Sequence, residues 1–162
     1  MKSQETVRTH HFIHKKPCSK RSHVNEYQTL HLADLIDRLG RDACDHFSVS
    51  DCSCLPTEKH KDFFKLDTYM LFINGAYACG FVMRDAKPDN PISESRQPPD
   101  EAIRNFDFQR LRQLVHFLLR HESWSDGNES PILNAFANGL LPAIANKLRN
   151  DQSLYLPDYS FI

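Results

Sequence analysis

Only five glycines are spread over the 162 residues, and they do not gather into the Gly-rich loop that cradles phosphates in nucleotide-binding folds. No serine stands in the Gly-x-Ser-x-Gly turn that presents a hydrolase nucleophile, and no Ser/His/Asp set accompanies one. Two common enzyme designs are therefore excluded. No uninterrupted apolar run approaches the roughly 18 residues that cross a bilayer, and the N-terminus carries charge where an exported chain would have an apolar core. A cytoplasmic protein without a membrane partner is expected. Five cysteines, an odd number without a regular framework, fit a reducing compartment where thiols stay free, with one or two bridges as the alternative. No internal repeat is present.

The composition is 40% hydrophobic over a length typical of one domain, enough for a single sizeable core. The net charge of −1 hides an uneven distribution. Lys2, Arg8, Lys15, Lys16, Lys20 and Arg21 stand against only Glu5 in residues 1–23, which also hold His10, His11, His14 and His23. That segment has little apolar periodicity and contains Pro17, so it is expected to be a flexible basic arm able to attract nucleic acid. Phe12 alone offers a stacking ring there, and no groove-reading motif follows. A solvated arm is the competing reading.

Residues 24–162 are expected to form the second unit, a single helical domain. Leu32, Leu35, Ile36, Leu39, Ala43 and Phe47 recur at helical spacing, with Asp34, Asp37, Arg38 and Arg41 between them, which predicts a surface helix packed by one stripe. Ser48 to Pro56 reads as a connection, and Thr57 with Glu58 as a helix start. From Asp62 to Gly80 apolar side chains point nearly all round a helix, placing that element at the centre of the fold with Gly80 as its natural terminator; a strand over Tyr69 to Ile73 is the alternative. Pro88, Pro91, Pro98 and Pro99 forbid a continuous helix across residues 84–104, which read as a long surface loop.

Asp107 is positioned to cap a helix whose apolar arc is Phe108, Leu111, Leu114, Val115, Leu118 and Leu119, with Arg112, His116 and Arg120 facing solvent opposite it. Glu122 would enter the apolar arc if this helix continued, so the helix is expected to end near His121. Ser130-Pro131 is an N-cap and N1 pair, Gly139 a stop, and Pro142 the start of a last helix. The C-terminal tail from Leu154, including Tyr159 and Phe161, is apolar without helical spacing and is expected to lie extended. The predicted fold is all-α, a single compact bundle of about five helices with a flexible arm and an extended tail.

Three groups of residues suggest sites. Arg120, Glu122, Trp124 and Asp126 could form a charged and aromatic contact cluster with Trp124 as anchor. Alternatively, Trp124 plugs the core while Glu122 and Asp126 cap amides of the next helix. Cys44, His46, Cys52 and Cys54 are four possible zinc ligands within eleven positions, although Cys44 and His46 on one helix would point about 200° apart. His10, His14 and Cys18 share one face of a hypothetical helix that Pro17 would interrupt. Asp85, Asp89, Glu94, Asp100 and Glu101 make the proline-rich loop acidic, a possible mimic of nucleic-acid charge. Catalytic and cofactor-binding residues are not expected.

Phe72-Ile73-Asn74-Gly75-Ala76-Tyr77-Ala78-Cys79-Gly80-Phe81-Val82, Leu111-Arg112-Gln113-Leu114-Val115 running into Arg120-His121-Glu122-Ser123-Trp124-Ser125-Asp126-Gly127, and Ala135-Phe136-Ala137-Asn138-Gly139-Leu140-Leu141 leading to Leu148 carry a family likeness. Over about residues 60–150 the chain resembles a bacterial and phage-associated domain of unknown function, number 6508 in that series. The resemblance implies a helical domain common in genomes rich in mobile elements, and it carries no chemistry with it. The expected function is a non-enzymatic protein-binding module, a phage or mobile-element inhibitor or regulator of a bacterial complex. Its contacts would come from Lys15, Lys16, Lys20, Arg21, Arg120, Glu122, Trp124, Asp126, Tyr159 and Phe161. A nucleic-acid-binding regulator acting through the arm is the alternative, and an uncharacterised enzyme the third reading.

Overall fold

The computed structural model describes residues 26–83, 86–151 and 154, and among them every regular element is helical. The arm at 1–23 and the tail beyond Leu154 lie outside the described residues, as do Asp85 and the proposed ligands His10, His14 and Cys18. The elements in order are α1 (Glu26–Phe47), a 3-10 turn (Cys52–Cys54), a second 3-10 turn (Thr57–Lys59), α2 (His60–Phe63), α3 (Asp67–Ala78), α4 (Pro99–Ala102), α5 (Phe108–Trp124), α6 (Pro131–Ala137) and α7 (Leu140–Asn150). Five of these helices, α1, α3, α5, α6 and α7, are longer than a single turn, as the hydrophobic periodicity predicts.

The central element is α1 rather than the segment that follows it. Both α3 and α7 pack along it, so its buried set is wider than one stripe: Thr29, Leu32, Ala33, Leu35, Ile36, Leu39, Gly40 and Ala43. Each large apolar side chain in this set contributes roughly 1.5–3 kcal/mol by leaving water. Gly75 lets α3 come close, since a Cβ there would run into Leu35. On the outer surface Arg149 of α7 reaches Asp34 at 3.0 Å and Asp37 at 2.8 Å, exposed pairs that orient the helices more than they stabilise them.

The helix expected from Asp62 to Gly80 is broken at Phe64–Leu66, where Leu66 is extended (φ −65°, ψ 130°). Aromatic packing gives the reason. In a continuous helix Phe63 and Tyr69 would point about 120° apart; the break lets their rings meet edge to face at 5.4 Å, with Phe64 against Tyr69 at 5.3 Å. The resulting α3 is not surrounded by protein. It buries Thr68, Phe72 and Ala76 and leaves Met70, Leu71 and Tyr77 about half exposed.

Gly80 ends α3 as its position suggested. It takes a left-handed φ of 78°, its N–H bonds the Tyr77 carbonyl at 3.1 Å, and the Phe81 N–H bonds Ala76 at 3.1 Å. This is a Schellman motif, and the following Phe81 is fully buried. The proline-rich loop is anchored at its far end, where α4 leads into buried Ile103 and Phe106. Asp107 caps α5 by accepting from the Arg110 N–H at 2.8 Å. Ser130 caps α6 by accepting from the Leu133 N–H at 3.0 Å. The last helix begins at Leu140, two residues before Pro142, because the missing N–H of a proline in the first turn costs no helical hydrogen bond.

Candidate functional site

The polar groups of α5 divide between the fold and the surface. The helix runs on to Trp124, past the expected end at His121, and Glu122 does enter the apolar arc with only 8% of its surface exposed. The expected penalty assumed an unpaired carboxylate, and this one is fully engaged. Its Oε1 accepts from the Tyr69 hydroxyl and the Ser130 hydroxyl, both at 2.8 Å, and its Oε2 from the Ile132 N–H at 2.9 Å. One side chain thus joins α3, the end of α5 and the first turn of α6. Burial pushes the carboxyl above its ordinary range, while the three donors pull it back in part. The Tyr69 hydroxyl is raised too, by its own burial and then by Glu122.

His116 shows a similar inward turn. Sequence spacing places it with Arg112 on a solvated face, but it is 1% exposed, because the chain after Gly80 folds back across that side of α5. Its Nδ1 accepts from the Met83 N–H at 3.1 Å, which leaves the proton on Nε2, 3.2 Å from the Ala86 carbonyl. Arg112 Nε donates to the Gly80 carbonyl at 2.8 Å. A neutral imidazole satisfies both partners of His116, and burial lowers its pKa, with Arg120 and Arg112 adding to the effect.

A depressed folded-state pKa contributes stability that is present above the ordinary histidine value and is lost as pH falls through the folded value. The unfolding free energy should therefore drop on acidification just below that ordinary value, and His116→Gln should remove this component. Urea titrations across the pH range would show it; an unchanged pH slope in the variant would rule the assignment out. Replacement by alanine leaves the Met83 N–H and Ala86 carbonyl unpaired and should cost about 1–3 kcal/mol.

The outer side of the same helix end carries the exposed residues. Trp124, the only tryptophan, is 54% exposed and so does not plug the core. Arg120 lies over its ring at 5.2 Å, and the His121 ring meets it at 5.6 Å. Phe117, one turn earlier, packs its ring at a tilt against His121 at 4.1 Å. Phe117, His121 and Trp124 follow i, i+4, i+7 spacing, which lines them along one side of the helix. The buried Arg120 Nε makes no hydrogen bond among the described residues, and the indole of Trp124 lies under its guanidinium. Asp126 is exposed in the following turn with φ 50°. Of the four residues grouped from sequence, Arg120 and Trp124 come together, Glu122 turns inward to hold the fold and cap α6, and Asp126 stands apart.

Among the four proposed zinc ligands, Cys44 and Cys52 meet with their sulfurs 3.5 Å apart. His46 instead packs edge-on against Phe47 at 4.9 Å, and Cys54 is exposed beside the Ser53 hydroxyl. No group of three or more His, Cys, Asp or Glu side chains is arranged for a metal ion among the described residues. In the proline-rich loop Asp89, Glu94, Asp100 and Glu101 are exposed, interspersed with exposed Lys87, Arg96 and Arg104. Lys15, Lys16, Lys20, Arg21, Tyr159 and Phe161 lie outside the described residues.

The exposed Met70, Leu71 and Tyr77 of α3 were not singled out from sequence. Their signal was present in the all-round apolar character of that segment, which fits a helix with an uncovered apolar side as well as a central one. No helix among the described residues is long and apolar enough to cross a membrane. Comparison with protein-family models, with curated proteins and with solved structures returned no match to this chain.

Proposed function

We propose that this chain is a non-enzymatic, cytoplasmic protein-binding module that contacts its partner through the outer side of the α5 C-terminus, with Trp124 at the centre and Arg120 beside it. The exposed tryptophan held by an arginine carries this reading. Tryptophan and arginine dominate binding energy at protein interfaces because they bring large contact area and directional donors together. Here the ring is pre-oriented by Arg120 and His121, which lowers the entropy lost on binding. The inward commitment of Glu122 and His116 supports a binding role over a catalytic one, since both buried titratable groups of α5 spend their hydrogen bonds on neighbouring backbone and hydroxyl groups. The likeness to a phage-associated family favours an inhibitor or regulator of a bacterial complex.

The test uses full-length protein immobilised beside a Trp124→Ala variant and exposed to bacterial lysate, followed by affinity measurement on any retained component. Loss of an anchor worth about 2 kcal/mol should weaken binding about 30-fold. Thermal stability should stay within about 0.5 kcal/mol, as expected for an exposed position. A partner held equally by both proteins would refute this surface.

A further inference from the structure

We propose that Cys44 and Cys52 are a redox site: a dithiol that low-molecular-weight disulfides, such as oxidised glutathione, convert reversibly to an intramolecular disulfide. The two sulfurs lie 3.5 Å apart, although eight residues separate them in sequence. The turn after α1 creates this meeting. Ser48 takes a left-handed φ of 55°, the Ser48 N–H bonds the Asp45 carbonyl at 3.3 Å and the Val49 N–H bonds Cys44 at 3.0 Å, which reverses the chain and lays Cys52 back on α1.

Gly40 lies beside it. It stands one turn before Cys44 on the same side of α1, its carbonyl lies 3.8 Å from the Cys52 sulfur, and a Cβ in its place would come within 3.4 Å of that sulfur. Both thiols line an open groove of about 620 Å³ together with Asp37, Arg41, Asp45 and Asp51, so a small oxidant can reach them. A disulfide needs the sulfurs about 2.05 Å apart. The remaining approach falls to residues 48–51, a connection with no regular secondary structure.

Burial, then the adjacent Cys44, raises the Cys52 thiol pKa. The exchange takes two steps. One sulfur of the pair, as its thiolate, attacks the low-molecular-weight disulfide, whose S–S bond breaks to release one thiol and leave a mixed disulfide on that cysteine. The other sulfur of the pair gives up its proton and displaces the second small thiol. Two electrons pass from the protein dithiol to the oxidant, which leaves as two reduced thiols carrying the two protons.

The experiment treats the full chain with oxidised glutathione, alkylates free thiols, and cleaves on the N-terminal side of aspartate. Cuts before Asp45 and Asp51 place Cys44 and Cys52 on separate peptides. The expected result is loss of both alkylation labels and recovery of one cross-linked species, the Cys44 peptide joined to the peptide that starts at Asp51. Dithiothreitol should restore both labels. A double Cys18→Ser, Cys54→Ser chain should retain the cross-link, which assigns it to Cys52 within the Asp51 peptide, and Cys44→Ser should abolish it while the protein still melts cooperatively. The proposal is overturned if Cys44 and Cys52 keep their labels while Cys54 is modified, if the bond joins Cys54 instead, or if the only oxidised product links two chains.

Discussion

Glu122→Ala is expected to lower the stability of the fold by about 3 kcal/mol, read as a fall of roughly 10 °C in Tm. Three donors converge on this carboxylate, and each hydrogen bond to a charged group contributes roughly 1.5–3 kcal/mol. The sum overstates the loss, because alanine also relieves the cost of burying the carboxyl, the same cost that lifts its pKa. What remains unrelieved is the Ile132 N–H, which has no rotatable bond with which to find another partner. Tyr69→Phe should be costly in the wild-type chain and nearly neutral when Glu122 is already alanine. That non-additivity distinguishes a shared network from three separate contacts. Additive effects of the two substitutions would contradict it.

Glu122→Gln should be milder, because its amide oxygen can keep the Ile132 N–H while the two hydroxyls rotate to accept from the amide nitrogen. The pH dependence gives a second check. A carboxyl raised in the folded chain contributes stability that is complete below the ordinary carboxylate value and is lost as pH rises through the folded value. The margin of wild type over the glutamine variant should therefore be widest in acid and narrow as pH increases. This is opposite in sign to His116, so the two buried groups of α5 partly offset one another between the carboxylate and histidine ranges.

Helical spacing made the five longer helices, the Asp107 and Ser130 caps and the Gly80 stop legible, since each depends on residues within a few positions of one another. The rest depended on distant partners. Nothing local reveals that Tyr69 waits 53 residues before Glu122, so the burial cost was visible in sequence and its compensation was not. His116 fell on the polar side of α5 by spacing, and only the chain returning through Met83 and Ala86 turns that side inward. The interruption at Phe64–Leu66 carries neither glycine nor proline and follows from ring packing. The contact cluster was half legible. Residues 120, 122 and 124 alternate around a helix by about 200° per step, so 120 and 124 share a side that 122 must leave; extending the helix to Trp124 is what reveals the division.

Phe136→Ala is expected to be at least as damaging, at about 3–5 kcal/mol, because it opens a cavity where three elements meet. Phe136 is 1% exposed; its ring meets Phe63 of α2 at 6.4 Å on one side and faces Gly40 of α1 on the other. A Cβ at position 40 would lie 3.1 Å from Phe136 Cε1, closer than an ordinary contact, so a side chain at residue 40 would require the ring to give by a few tenths of an ångström. The backbone of α1 and the ring of α6 are therefore fitted to each other, and partial collapse after truncation is limited by how far α1 can move while α3 and α7 hold it. This fit predicts a coupling. Gly40→Ala should be less favourable in the wild-type chain than its helix propensity suggests, and the deficit should shrink when Phe136 is leucine, which withdraws the ring edge. Chemical denaturation of the two single variants and the double variant measures that term directly. Equal effects of Gly40→Ala in both backgrounds would show that the ring is not what reserves the glycine.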